Sequence, residues 1–288
     1  MWLAQGWRDY RLIDAGDGDR LEQWGDVILR RPDPQVIWPL DGDPAWQRAD
    51  ARYLRSRTGG GHWEYRRPIP EEWTVGWQEL TFRIRPMGFK HTGLFPEQAA
   101  NWQWMTQLVR GAGRPVEVLN LFGYTGGASV ALAGAGAKVV HVDAARGMVA
   151  QAKENLQLSG LGDRPVRFIV DDAVKFVERE KRRGRRYQGI LMDPPSYGRG
   201  PSGEIWKIEE QIFPLVQKCL DILAEDALFF LINGYTTGLA PSVLGNLLRL
   251  TVERRFGGAT EADEVGLPIE KLRMPLPCGA SGRWTAAQ

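Results

Sequence analysis

The chain has 288 residues, 43% of them apolar and 25% charged, and a formal net charge of +2. That length can bury a full core in one large domain or in two. No run of 18 apolar residues occurs and the N-terminal Met1-Trp2-Leu3-Ala4-Gln5-Gly6-Trp7-Arg8 has no secretory pattern, so neither a membrane span nor a leader is expected. Two cysteines, Cys219 and Cys278, offer neither a disulfide framework nor metal-ligand spacing. No metal is expected, and a reducing cytoplasm is the expected compartment.

Residues 1 to about 90 are rich in Pro, Gly and Trp, and ten of the twelve tryptophans lie before Val116. Alternating stretches such as Trp63-Glu64-Tyr65-Arg66 and Glu79 to Arg85 predict β-strands with Pro and Gly turns between them. Trp73, Trp77 and Phe82 are expected in a small β core, in preference to an exposed platform for stacking bases.

From Phe89 the composition shifts. A loop over 90–98 precedes a helix through Asn101, Trp104, Met105 and Leu108. Regular alternation follows. An apolar strand over 116–122 runs into Gly123-Tyr124-Thr125-Gly126-Gly127, then a helix over 128–133, then a strand over 138–142 ending in Asp143. A helix over 146–158 stops at Gly160, and a strand over 166–170 ends in Asp171-Asp172-Ala173. A charged helix then reaches about Arg183. The run Arg179 to Arg186 holds six basic side chains and one acidic one, which predicts a solvated helix end before a phosphate-binding patch.

The buried strand over 187–192 ends in Asp193-Pro194-Pro195-Ser196-Tyr197. Two prolines cannot continue a central strand, so the chain must leave the sheet there. A carboxylate and an aromatic ring are thereby held on a stiff turn at a strand's C-terminal end, the edge where open α/β sheets bind ligands. An ordinary capping turn is the plain alternative. Beyond it, a helix carries Ile208, Ile212, Leu215, Val216 and Cys219, with Pro214 either kinking it or marking its start. A strand over 227–232, a helix over 241–250, and two strands through Arg254–Phe256 and Lys271–Met274 complete the chain. Repeated β-α units of this length predict an α/β fold with a doubly wound, mainly parallel sheet.

The glycine loop between strand and helix suits close approach of a ligand to backbone N–H groups. Asp143, twenty residues after Gly123, stands where a carboxylate accepts from ribose hydroxyls. Asp172 can accept from an adenine amine, and Asp193 faces the same edge. Three carboxylates at neighbouring strand tips suit an adenosine with a cationic end, such as S-adenosylmethionine, and would repel a pyrophosphate.

The segments FGYTGGAS (122–129), VDAA (142–145), AKENLQLSG (152–160) and DPPSY (193–197) resemble class I S-adenosylmethionine-dependent methyltransferases. With FKHTGLFPEQ (89–98), they resemble more narrowly the large-subunit ribosomal RNA methyltransferases that modify cytosine C5 or a guanine. The resemblance implies a seven-stranded Rossmann-like sheet over 91–288, with a smaller β-rich accessory domain over 1–90. It places Phe122, Gly123, Tyr124, Thr125, Gly126 and Gly127 against the methionine part of the cofactor, and Asp143 with Ala144 at the ribose. Asp172 and Ala173 fall at the adenine. Thr92, Phe95 and Gln98 pack over the cofactor. Asp193, Pro194 and Tyr197 line the junction of methyl donor and target base.

One departure bears on the substrate. Relatives acting on cytosine C5 carry a thiol just after the fifth strand to form a covalent adduct. Here that stretch is Leu231 to Thr237 and has no cysteine, so methylation of a base nitrogen is favoured, with RNA as the expected partner. Cys219 is expected in the core and Cys278 to be structural, with a substituted nucleophile as the alternative for Cys278. His141 is expected to be packed in a strand and His91 is an outside candidate for the site. A nicotinamide-dependent oxidoreductase and a non-catalytic RNA-binding protein are the two rival readings.

Overall fold

A computed structural model describes residues 1–56, 60–199, 205–236 and 238–287. The chain divides into two compact units. The larger comprises Met1–Trp2, Asn101–Val265 and Gly279–Gln288, and the smaller Leu3–Ala100 and Gly266–Cys278.

The N-terminal part is more regular than its composition suggests. After a two-residue β1 (Trp2–Leu3) come β2 (Tyr10–Gly16), β3 (Asp19–Trp24), β4 (Val27–Pro32), β5 (Ala51–Arg55), β6 (Gly61–Tyr65), β7 (Trp73–Trp77) and β8 (Leu80–Ile84). Strands β2 to β6 pair in sequence order, and β7 and β8 form a separate hairpin. Trp77 and Phe82 are fully buried, as the alternation predicts, while Trp73 is half-buried. None of the tryptophans is exposed. Several of their indole N–H groups are used internally: Trp38 donates to the Ala15 carbonyl (2.7 Å), Trp63 to Met87 (2.8 Å) and Trp73 to Trp24 (2.8 Å). An amphipathic ring with its polar edge satisfied this way is core material.

Three parallel strands of the larger unit, β9 (Glu117–Leu121), β10 (Lys138–Asp143) and β12 (Gly189–Met192), are nearly continuous apolar runs because helices cover both faces. With β11 (Val166–Val170), β15 (Phe229–Gly234), β16 (Ala259–Ile269) and β17 (Met274–Thr285), they form seven strands among the described residues, in the order β11-β10-β9-β12-β15-β17-β16. The first five are parallel, and β17 runs antiparallel to β15. A helix, α1 (Ala99–Gly111), precedes the sheet; α2 (Gly127–Gly134), α3 (Arg146–Leu158) and α4 (Ala173–Arg182) connect its early strands. After β12 the chain forms a short hairpin, β13 (Tyr197–Arg199) with β14 (Ile205–Lys207), then α5 (Ile208–Leu220), α6 (Pro241–Leu248) and α7 (Arg254–Phe256). The alternation of side chains divides the core. Leu119, Val140, Ile190 and Phe230 pack with Phe176, Leu215 and Val216 on one face, and Asn120, His141 and Phe229 point to the other.

Several expectations need correction. Pro214 lies inside α5 and does not begin it. The fifth strand runs to Gly234, so Asn233 is a strand residue. Arg254–Phe256 is helical, continuing from α6 through a π-turn over Arg249–Glu253, and ends at Gly257 and Gly258, both at positive φ (69° and 82°). The strand begins only after those glycines release the chain. Lys271 to Arg273 is the turn between β16 and β17, with Arg273 at φ 51°. The pairing of 197–199 with 205–207 has no counterpart in the apolar pattern.

The smaller unit buries a charge cluster. Arg31 grips Glu22 with Nε (2.5 Å) and Nη2 (2.8 Å), and the Tyr10 hydroxyl donates to the same carboxylate (2.8 Å). Burial alone would raise the Glu22 pKa, but the Arg20 and Arg31 guanidiniums outweigh it and hold it at about 2. Because the folded value is depressed, this contribution is complete above the unfolded value of about 4.5 and is lost as pH falls through about 2. Glu22→Gln is expected to cost about 3 kcal/mol at neutral pH, since it strands buried cations. It is also expected to flatten the loss of stability on acidification across that window. Denaturant unfolding of both proteins at pH 7 and in acid measures this.

Candidate active site

The C-terminal ends of the parallel strands gather most of the residues singled out above. At the end of β9 the chain turns through Phe122 (φ 56°) and Tyr124 (φ 50°), two non-glycine residues in the left-handed region, and Gly126 (φ 84°) before entering α2. Such a conformation costs about 1–3 kcal/mol per residue and persists only where neighbours enforce it. Asp143 supplies much of that enforcement. One carboxylate oxygen accepts from the Tyr124 N–H (2.9 Å) and the other from the Ala145 N–H (2.8 Å). Each oxygen retains a second lone pair. Burial raises the Asp143 pKa while these two N–H bonds pull against it. Ala144 lies exposed between them.

His141 supports the loop from beneath. A Cβ at Gly123 would stand 2.4 Å from its ring, so only glycine fits against it. The imidazole Nδ1 meets the Ser129 hydroxyl at 3.0 Å, and Ser129 accepts from the Asn120 amide (2.9 Å). Burial pushes the His141 pKa down to about 4, so the ring is neutral and structural, as its place in a strand suggested. The Thr125 carbonyl accepts from Asn155 (2.8 Å), which ties the loop to α3. Gly126 faces Ala152 so closely that a Cβ would come within 2.7 Å. Asn120, Ser129 and Asn155 are not among the residues singled out from the sequence, although Ser129 and Asn155 fall inside FGYTGGAS and AKENLQLSG; a polar residue in an otherwise apolar strand is the signal for Asn120.

The other two carboxylates have local partners. Asp172 caps α4 by accepting from the Lys175 N–H (2.9 Å), with Ala173 buried behind it, and Asp171 is paired with Arg179. Asp193 accepts from the Asn233 amide on β15 (2.9 Å). Pro194 is buried, and the Pro195 carbonyl accepts from the Trp206 indole (2.6 Å). Trp206 also packs on Phe122 at 5.1 Å between ring centroids. Ser196 and Thr236 hydroxyls meet at 2.6 Å. The turn is thus clamped on both sides, leaving Tyr197 52% exposed at the start of the hairpin.

Thr92, Phe95 and Gln98 belong to the smaller unit. Thr92 is buried, its carbonyl accepting from the Arg85 N–H (3.1 Å), and the Gln98 N–H donates to Phe95 (3.1 Å). His91 stacks edgewise on Phe95 at 5.3 Å and is pushed down to about 4 by burial and the nearby Arg31, so it is neutral at pH 7. His62 is exposed. The basic run is a paired surface: Arg179 meets Asp171, Lys181 Asp221 (2.7 Å), Arg183 Glu180 (2.9 Å) and Arg185 Glu117 (2.7 Å). That matches the solvated helix end. Among the described residues no group of three His, Cys, Asp or Glu could hold a metal, and no helix is long and apolar enough to cross a membrane.

Residues 29–213 match the model of the family described as S-adenosylmethionine-dependent methyltransferase. The chain belongs to that family. A solved S-adenosylmethionine-dependent methyltransferase from Agrobacterium tumefaciens is 38% identical, with a TM-score of 0.92 over 98% of this chain and 92% of that one. A putative methyltransferase from Streptococcus mutans shares the fold at 18% identity and a TM-score of 0.75, covering 98% of this chain and 76% of its own. A ribosomal RNA large subunit methyltransferase K/L from Shewanella baltica is 29% identical over 206 residues, which is 67% of this chain and 26% of the relative. This chain therefore spans about a quarter of the length of that curated relative.

The donor set fits the family's cofactor, S-adenosylmethionine. The loop offers a close-packed backbone turn leading into a helix N-terminus, and the sheet edge offers acceptor-only carboxylates. Family membership sets the nicotinamide-dependent reading aside. Gly123→Ala must displace either His141 or the strained loop. It is expected to weaken S-adenosylhomocysteine binding at least tenfold in isothermal titration while the far-ultraviolet circular dichroism spectrum stays that of the wild type.

Proposed function

We propose that this methyltransferase acts on a nitrogen of a nucleotide base in RNA, in the cytoplasm. In this reading Phe122 to Gly127 hold the methionine part of the cofactor, Asp143 and Ala144 the ribose, and Asp172 and Ala173 the adenine. Thr92, Phe95 and Gln98 cover the bound molecule, and Asp193, Pro194 and Tyr197 receive the base. The β-rich residues 1–90 serve as an accessory domain to the methyl-transferring residues 91–288.

The observation that carries this reading is the clamped Asp193-to-Tyr197 turn. Its carboxylate, anchored on Asn233, is an acceptor for a base N–H, and its half-exposed ring offers a face for a base taken out of its stack. Bound there, S-adenosylmethionine supplies a sulfonium methyl that a nitrogen lone pair can take without covalent help from the protein. Asp193 orients the nitrogen and accepts the proton it sheds. The names of the curated relatives, ribosomal RNA large subunit methyltransferases, support RNA as the substrate class.

Neither thiol favours the cytosine C5 reaction, which needs a thiolate. Cys219 sits in the apolar core and burial raises its pKa. The Cys278 thiol is raised by burial and then by the Glu97 carboxylate, and it donates to the Leu276 carbonyl (3.4 Å). Both stay protonated at neutral pH.

Tritiated methyl from the cofactor is expected to enter total RNA from a strain lacking this protein, and nucleoside mass spectrometry then identifies the base. Asp193→Ala should lower the rate by about two orders of magnitude or more, whereas Cys219→Ala and Cys278→Ala should each keep activity within about threefold. Label entering only protein or small molecules would overturn the substrate. Loss of turnover in Cys278→Ala at full stability would restore the covalent route. No turnover on any RNA, with RNA still bound by Asp193→Ala, would favour the non-catalytic rival.

A further inference from the structure

Behind Asp193 lies an unbroken file of buried polar side chains within the larger unit. Arg283 on β17 donates from Nε (3.0 Å) and Nη2 (2.7 Å) to the Asn101 amide oxygen on α1. The Asn101 amide nitrogen donates to the Ser281 hydroxyl (3.0 Å), Ser281 to the Asn233 amide oxygen (2.6 Å), and the Asn233 nitrogen to Asp193 Oδ1 (2.9 Å). Asn101 and Ser281 are fully buried, Asn233 is 1% exposed and Arg283 6%. Four polar side chains in a methyltransferase core cost free energy unless each is satisfied, so their alignment asks for a reason.

The order has a direction that the chemistry imposes. A guanidinium has donors and no acceptor. Asn101 must therefore meet it with oxygen, which turns the amide nitrogen toward Ser281. Having accepted there, Ser281 must turn its own proton toward Asn233. Asn233 is left with its NH2 facing Asp193, and a carboxylate is the group that can receive it. Arg283 is itself held by two indoles, its guanidinium 3.7 Å over Trp2 and 5.0 Å over Trp104. Burial lowers its pKa to about 9, so it remains a cation at neutral pH.

We propose that Arg283, Asn101, Ser281 and Asn233 form a one-way hydrogen-bond relay that presents a donor to Asp193 and fixes the carboxylate's orientation for the incoming base. The four are positioning residues, since on this reading only Asp193 touches substrate. The relay rests on the assignment of Asp193 to the methyl-transfer site. It also accounts for an asparagine in β15 where its neighbours are apolar, and the pairing of β15 with β17 supplies the register, with Ser281 opposite Asn233 and Arg283 opposite Leu231.

The test compares Ser281→Ala, Asn233→Ala and the double variant, with two independent readouts. In methyl transfer to total RNA from a strain lacking the protein, Ser281→Ala should lower kcat about tenfold, with KM for RNA and S-adenosylhomocysteine affinity within about twofold. In the Asn233→Ala background it should cost nothing further, because its effect passes through Asn233. By NMR, the Asn233 side-chain amide should exchange slowly in the wild type and at least tenfold faster in Ser281→Ala. Ser281→Cys, a weaker donor of similar shape, should fall between and carries the comparison if the alanine variant does not fold. Full kcat in Ser281→Ala, multiplicative losses in the double variant, or unchanged amide exchange would each overturn the relay. If the wild type transfers no methyl to RNA, the substrate reading fails, and the exchange measurement still decides the relay.

Discussion

Asp143 closes two turns at once, and the shape of the sheet's C-terminal edge depends on it. A carboxylate at the tip of β10 takes the N–H of Tyr124 from the preceding loop and that of Ala145 from the start of the next helix. Without those acceptors, two non-glycine residues at positive φ would relax toward ordinary conformations and the loop would lose its shape. After its backbone bond is made each oxygen of that carboxylate keeps a lone pair, which is what the proposed contact with a ribose would use. On the proposed reading structural and binding roles share one side chain, whose pKa burial raises while the two N–H donors pull against it.

A second constraint is the file of amides and hydroxyls behind Asp193. Parallel strands bring acidic residues to a common edge, but an edge alone leaves each carboxylate free to rotate. At Asp143 the rotation is stopped by backbone N–H groups, at Asp172 by the cap of α4, and at Asp193 by Asn233. Three different devices secure three neighbouring acceptors. The antiparallel β17 contributes to the third, since it places Ser281 and Arg283 beside β15. The smaller unit shows the same principle in its buried Glu22, where two arginines overcome the cost of burial.

Periodicity and turn chemistry carried much of the fold. The helix over 146–158 and the strand over 166–170 have the observed bounds, because apolar spacing and terminal glycine coincide there. Asp143, Asp172 and Asp193 were legible because a carboxylate following an apolar run marks the strand end. The tail was not. Arg254–Phe256 is apolar and charged in a pattern that suits strand or helix equally, and only continuation of α6 through a π-turn decided it. The apolar pattern sets the strand through Asn233 two residues early, because its edge is fixed by pairing with β12 and β17, which no local pattern records.

What the amino-acid sequence determined by itself was local: where strands end, which residues can turn, and which carboxylates stand at the tips. Its motifs by themselves resemble the methyltransferase family. What only the tertiary structure decided was which distant polar residues meet. Asn101, Asn233, Ser281 and Arg283 lie up to 182 positions apart and form one file only because sheet register and helix packing bring them within hydrogen-bond reach. Hydrogen bonds act over about 3 Å, and adjacency at that scale is a property of the folded chain, not of its spelling.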